Sequence, residues 1–308
     1  MKKLLQYFYN INVDELIPYN EVNYLFSYQN STYLFSLYDR DVKEINDLYS
    51  LSQDLLKKDV FVHEFIFNIK NELLSVDPDT KNIYTLLKIN INIDKKLSLD
   101  ELSYLSNIKI KPVLGLVRTS WAKLWETRND YLEYQINQMG KKFPVIVESF
   151  NYFIGLSENA ISYVNNAYDE LKKGDMDNYV LSHRHLNNKI ESLYNPLNFI
   201  FDYKVRDLAE YIKLSFFNNN QNIYQELDNY FSKNYFSLFS FLLLLGRTLY
   251  PSFYFEMYED TTINKKEEKS LLNLISVLPS YELYLRNIYL YLNKYYPLPE
   301  INWLLRKN

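Results

Sequence analysis

With 308 residues, 47% hydrophobic and 23% charged, the chain can bury a sizeable core, and five Gly and nine Pro exclude collagen-like or linker-rich designs. A formal net charge of -4 argues against a nucleic-acid partner. The absence of Cys removes disulfides, thiolate zinc sites and cysteine nucleophiles together, and three histidines (His63, His183, His185) leave little for an all-imidazole metal site. The heavy use of Tyr (31) and Phe (19) rises with Asn, Lys and Ile and reads as genome composition.

The start, MKKLLQYFYNINVDEL, has a short apolar run broken by Gln6, Asn10 and Asn12, with no small-residue cleavage site, and reads as part of the fold. Val22–Tyr28 and Ser31–Tyr38 are aromatic and β-branched, with a turn at Gln29–Ser31, and predict a hairpin. Val42–Lys58 predicts a helix with Ile45, Leu48, Leu51 and Leu55 on one face. Phe61–Lys70 alternates like a strand, and Leu73–Ile89 reads as strand, turn at Asp77–Asp79, strand. The paired carboxylates Asp77 and Asp79 belong to that turn and need no cation.

Beyond Asn90 the pattern is helical. Ser98–Glu101 is a capping-box pattern. One helix is expected over Thr119–Met139 with Gly140 as its stop, and another from Pro144 to Lys172, ending before Gly174. Tyr179–Asp202 reads as irregular. Helices follow over Arg206–Phe217, Ile223–Ser232, Phe236–Leu249, Lys266–Leu278 and Ser280–Tyr295. The apolar run Tyr235–Leu245 is shorter than the roughly 20 residues a bilayer span needs, so it is expected as a buried helix and no membrane span is expected. The expected class is α+β, a small antiparallel-sheet lobe over residues 1–91 and a larger helical lobe over 92–308, joined near Ile89–Asp94.

His183-Arg-His185, then Phe199-Ile-Phe-Asp202 and Arg206-Asp-Leu-Ala-Glu-Tyr211, resemble a worn form of the HGDxxxxN and metal-aspartate segments of the aminoglycoside phosphotransferase superfamily. Gly246–Glu256, Phe153–Ile161 and Leu298–Trp303 are similar to its spore-coat-associated CotS/YutH-type kinase-like branch. The resemblance implies a protein-kinase-like bilobal fold. It also allows the catalytic positions to be carried across. Ser36 stands where active relatives have the strand lysine that pairs with nucleotide phosphates, and Glu44 is the counterpart of that lysine's acidic helix partner. His185 replaces the aspartate that orients the attacking hydroxyl, after His183, and Ile190 replaces the metal-binding asparagine. Asp202 matches the metal-binding aspartate, and Gln29–Ser31 has no glycine where the relatives have a glycine-containing turn over the phosphates.

Phosphoryl transfer depends on positioning and electrostatics, and an isoleucine gives Mg²⁺ no oxygen ligand. Loss of a positioned base alone costs ~10²–10⁴ in rate. The expectation is therefore a pseudokinase that needs no cofactor, is unsuited to nucleotide, and acts as a binding or scaffold protein. Coat or cytoplasmic proteins during sporulation are the expected partners, in the cytoplasm or at the spore coat. An atypical ATP-dependent small-molecule phosphotransferase and a non-catalytic binder of a small ligand are the alternatives. Asp207, opening a helix after a loop, is expected to be structural, capping amides around His183.

Overall fold

Two amphipathic helices sandwich the first sheet; the sequence places the second, whereas the first lies in the start that reads only as part of the fold. A computed structural model describes residues 1–90, 95–139, 142–170, 177–264 and 266–305. The expected junction over Ile89–Asp94 and the stops at Gly140 and Gly174 fall wholly or partly outside the described residues. The chain divides into two compact units, one of Met1–Ser98, Lys109–Val117 and His183–Phe201, the other of Leu99–Ile108, Arg118–Ser182 and Asp202–Asn308. The chain-order division at 91/92 does not anticipate these interleaved segments.

The first unit opens with α1 (Lys2–Tyr9), followed by β1 (Ile17–Pro18), β2 (Tyr24–Tyr28) and β3 (Ser31–Leu37). A short 3₁₀ turn leads into α2 (Ile45–Leu56), and β4 (Glu64–Ile66), β5 (Ser75–Val76) and β6 (Ile83–Ile89) complete the sheet. Its order is β1-β2-β3-β6-β4, with β5 also on β6, and every pairing is antiparallel. Alternation along β3 sorts the faces. Phe35, with Phe26, Tyr84 and Leu86, packs under Leu5, Phe8 and Tyr9 of α1. Leu34 and Ser36 share the other face with Leu87 and Thr85, where Tyr49 of α2 meets Phe65 of β4 with ring centroids 6.1 Å apart. The helical stripe Ile45, Leu48, Leu51 and Leu55 is buried as its spacing predicts.

The strand expected over Phe61–Lys70 shrinks to β4. Asn68 ends it, because its Oδ1 accepts the Lys70 and Glu72 amides at 2.9 and 3.0 Å and turns the chain. The Asp77–Asp79 turn forms as expected, with Asp77 accepting from the Asp79 amide and the Thr80 hydroxyl at 3.0 and 2.8 Å.

Helices follow: α3 (Leu99–Ser106), α4 (Trp121–Met139) and α5 (Pro144–Glu170). Pro144 sits at the start of α5, where its missing N–H costs nothing. The segment expected to be irregular instead forms β7 (Tyr179–His183), the short α6 (Ile190–Leu193) and β8 (Phe199–Tyr203), and β7 pairs with β8. All five β8 residues are buried, so the strand has no alternation to betray it.

The second unit continues with α7 (Val205–Phe217), α8 (Ile223–Lys233), α9 (Leu238–Leu249), α10 (Ser252–Thr262), α11 (Lys269–Leu292) and α12 (Asn302–Leu305). α10 was not expected. α11 corrects the two helices expected on either side of Pro279, because the proline lies inside one continuous helix. Pro279 forfeits one hydrogen bond, but Leu271 and Leu274 before it and Tyr281 and Leu285 after it bury one common stripe. α9 packs between α5 and α7. A Cβ on Gly246 would stand 2.9 Å from Val164 and 3.2 Å from the Ala160 carbonyl, so the helices meet at a glycine. By length and composition Leu238–Thr262 could cross a membrane, yet 83% of its apolar window is buried inside the fold.

Candidate functional site

In the first unit, a pocket of about 370 Å³ opens between β3, the turn after β1 and the segment following β7. Ser36 lines it, 4% exposed, with its hydroxyl donating to Asn23 Oδ1 at 3.1 Å. The turn beside Ser36 is therefore 19–23, whereas the expected Gln29–Ser31 turn closes the far end of the β2–β3 hairpin. This corrects the placement, although 19–23 also lacks glycine. Four of its five amides are spent internally: Tyr19 and Asn20 donate to the Asn23 carbonyl, and Val22 and Asn23 donate to Asn20 Oδ1. A phosphate cradle needs such N–H groups aimed outward.

Glu44, the counterpart of the lysine's acidic partner, is held by an arginine instead. Arg40 Nε donates to it at 2.7 Å, and Arg40 Nη1 donates to the carbonyls of Leu197 and Phe199 at 2.9 and 2.8 Å. The Arg40 side chain is only 2% exposed, so its charge ties the chain before α2 to the start of β8.

His183 is buried, and its Nε2 donates to the Leu193 carbonyl at 2.8 Å when that nitrogen carries the proton. His185 is exposed and held through its backbone: its amide donates to Asn198 Oδ1 at 2.9 Å, and Asn198 Nδ2 donates to its carbonyl. Ile190 is 2% exposed and opens α6 with no ligand atom to offer. Next to it, Glu191 is 2% exposed, accepts the Tyr19 hydroxyl, and lies 3.7 Å from His63 Nε2. Burial raises the Tyr19 phenol well above its ordinary range, and the neighbouring Glu191 charge adds to the effect.

In the second unit, Asp202 is fully buried at the end of β8. Its Oδ2 accepts from Arg206 Nη1 at 2.6 Å and Trp121 Nε1 at 2.9 Å, and its Oδ1 accepts the Tyr203 amide at 2.8 Å. Burial pushes its carboxyl up, while Arg206 and Arg247 favour the charged form. Arg247 lies over the Trp121 ring at 4.7 Å and pairs with Glu210 at 2.9 Å. Lys213 pairs with the other Glu210 oxygen at 2.9 Å and donates to Ser252 Oγ at 2.9 Å. Burial works against ionisation of Glu210, but Lys213 and Arg247 outweigh it and lower the carboxyl to about 2. Among the described residues no three His, Asp or Glu side chains converge as a metal ligand set.

The residues present do not fit a magnesium nucleotide. The strand position carries a hydroxyl, four of the five turn amides are engaged, and both Asp202 oxygens already accept hydrogen bonds from protein groups. Arg40, Asn198 and Trp121 carry much of this arrangement and escaped sequence reasoning. Arg206 could have been found, since it stands four residues after Asp202.

Asp207 lies in the first turn of α7 and is 7% exposed. Asp207→Ala is expected to cost about 1.5–3 kcal/mol, the range for hydrogen bonds to a charged acceptor. His185→Ala, on an exposed side chain, should cost under about 0.5 kcal/mol. Urea denaturation of both variants checks this, and a larger loss for His185→Ala would contradict it.

The family model described as "Spore coat putative kinase YutH" matches residues 2–280. The chain is 30% identical over 287 residues to the endospore coat-associated protein YutH of Bacillus subtilis (strain 168), covering 85% of this chain and 83% of that one. Among solved structures it is similar to a microcompartment-associated aminopropanol kinase, with TM-score 0.61 and 16% identity over 93% of this chain and 96% of that one. It is also similar to spectinomycin phosphotransferase APH(9)-Ia in complex with ADP and spectinomycin, with TM-score 0.57 and 14% identity over 88% and 91%. The fold is thus that of the kinase-like phosphotransferases, an antiparallel sheet followed by helices. The match over most of its length makes this chain a member of the spore coat YutH family.

Proposed function

We propose that this protein is a catalytically inactive member of its kinase-like fold. Its task would be binding or scaffolding, with spore coat proteins as partners, in the cytoplasm and at the coat. The Asp202 clamp carries the reading. A carboxylate that must hold Mg²⁺ needs free oxygens facing a nucleotide, whereas this one is fully buried and accepts from Arg206, Trp121 and the Tyr203 amide. Ser36, Ile190 and the self-satisfied turn 19–23 point the same way. The coat association follows from the family and from the named B. subtilis relative. The net charge of -4 speaks against nucleic acid as a partner.

A thermal-shift comparison with ATP, ADP and Mg²⁺, singly and together, tests the reading. A nucleotide at 100 times its Kd would add ~2.7 kcal/mol of apparent stability. No shift is expected. A saturable rise in Tm with MgATP would contradict the proposal.

A further inference from the structure

The pocket beside Ser36 has a hydrogen-bonding character of its own. Asn20, Asn23 and Asn195, three of the five asparagines on its wall, each have the carbonyl oxygen committed. Asn20 Oδ1 accepts the Val22 and Asn23 amides, at 3.0 and 2.8 Å. Asn23 Oδ1 accepts the Ser36 hydroxyl and the Leu37 amide, at 3.1 and 2.9 Å. Asn195 Oδ1 accepts the Leu197 amide at 3.0 Å. Backbone N–H groups can only donate, so these contacts fix which side-chain atom is oxygen and which is nitrogen. The Nδ2 groups of all three residues then have no acceptor among the described residues. Their neighbours on the wall include two carboxylates, the buried Glu191 and Asp39, the latter paired with Arg184 at 2.9 Å.

This mixture discriminates between ligand classes. A fully ionised phosphate ester offers acceptors alone: it would suit the three amides but meet the buried Glu191 with like charge, and the Asp39–Arg184 pair is neutral as a unit. An ammonium offers donors alone and would leave the amides unmatched. A hydroxyl both donates and accepts, so it satisfies an amide N–H and a carboxylate at once. Val22, Leu37 and the Tyr19 ring supply apolar wall for C–H faces, and about 370 Å³ falls within the range of small-molecule sites.

We propose that this pocket binds a small neutral polyhydroxylated molecule, a sugar or polyol, held by Asn20, Asn23, Asn195 and Glu191. The proposal rests on the preceding reading only in requiring that no nucleotide occupies the pocket.

Titration calorimetry on the full chain tests it with four probes: myo-inositol and glucose, pyrophosphate with Mg²⁺, and methylammonium. Saturable binding is expected for myo-inositol or glucose and for neither charged probe. Asn23→Asp and Asn195→Asp keep the oxygen that accepts from the backbone and lose the free donor. Each should weaken the polyol by about 2–10-fold, the worth of one hydrogen bond, with Tm unchanged. Absence of polyol binding in the wild type, preferential binding of either charged probe, or unchanged affinity in both variants would overturn the proposal. If the polyols fail while MgATP also gives no thermal shift, the ligand class alone is wrong. A thermal shift with MgATP would remove the inactive-kinase reading itself.

Discussion

Asp202→Ala is expected to destabilise the protein by about 3–5 kcal/mol, the cost of leaving one member of a buried ion pair alone. The substitution strands Arg206, whose side chain is 12% exposed, and removes the acceptor of the Trp121 indole N–H. It also opens a void against a residue with no exposed surface. Asp202→Asn keeps an oxygen for one of these donors and should cost less. The contrast with a metal ligand is sharp. A carboxylate held ready for Mg²⁺ is strained without the ion, so its removal would leave the apo protein unharmed or stabilise it. Guanidinium unfolding of the two variants reads the difference, and a loss below about 1 kcal/mol for Asp202→Ala would mean that the clamp contributes little to the fold.

Glu210→Gln is expected to cost about 3–5 kcal/mol at neutral pH, the cost of removing one partner from a buried ion pair, with a loss that depends on pH. The folded carboxyl is lowered to about 2 from an ordinary 4.5, because Lys213 and Arg247 together outweigh burial. A carboxyl depressed by folding stabilises fully above its unfolded pKa, and that contribution fades as pH falls towards the folded value. The gap between wild type and Glu210→Gln should therefore be constant above about pH 5, narrow between pH 4.5 and 2, and close near pH 2. Urea midpoints across that window check it. A gap that stayed constant down to pH 2 would show that the ion pairs are not its source. Lys213, only 4% exposed, and Arg247, at 9%, have little water to fall back on when Glu210 is neutralised.

The layout of the first sheet was legible because its signals are local. Alternation along β2 and β3 and the stripe Ile45, Leu48, Leu51, Leu55 each sit within one element. Pro279 misled because a local helix breaker was overridden by burial on both sides of it, including Tyr281 with no exposed surface. β8 misled because a wholly buried strand shows no period. At the site, motif positions such as Ser36, His185 and Asp202 could be located, but their present partners could not. Trp121 reaches Asp202 across 81 residues, and Arg40 reaches Leu197 across 157. Nothing in a linear pattern pairs residues at such separations. Glu44 shows the consequence: carried across as the partner of an absent lysine, it is held instead by a buried arginine four residues away.

This kinase-like chain is expected to transfer no phosphoryl group, and the direct measurement is release or transfer of the γ-phosphate from radiolabelled ATP. The wild type should show none above a no-protein blank over a long incubation with Mg²⁺. His185→Asp should be equally silent, because Ser36, Ile190 and the clamped Asp202 remain as they are. Sustained turnover by the wild type, lost in a folded Asp202→Asn variant, would contradict the account.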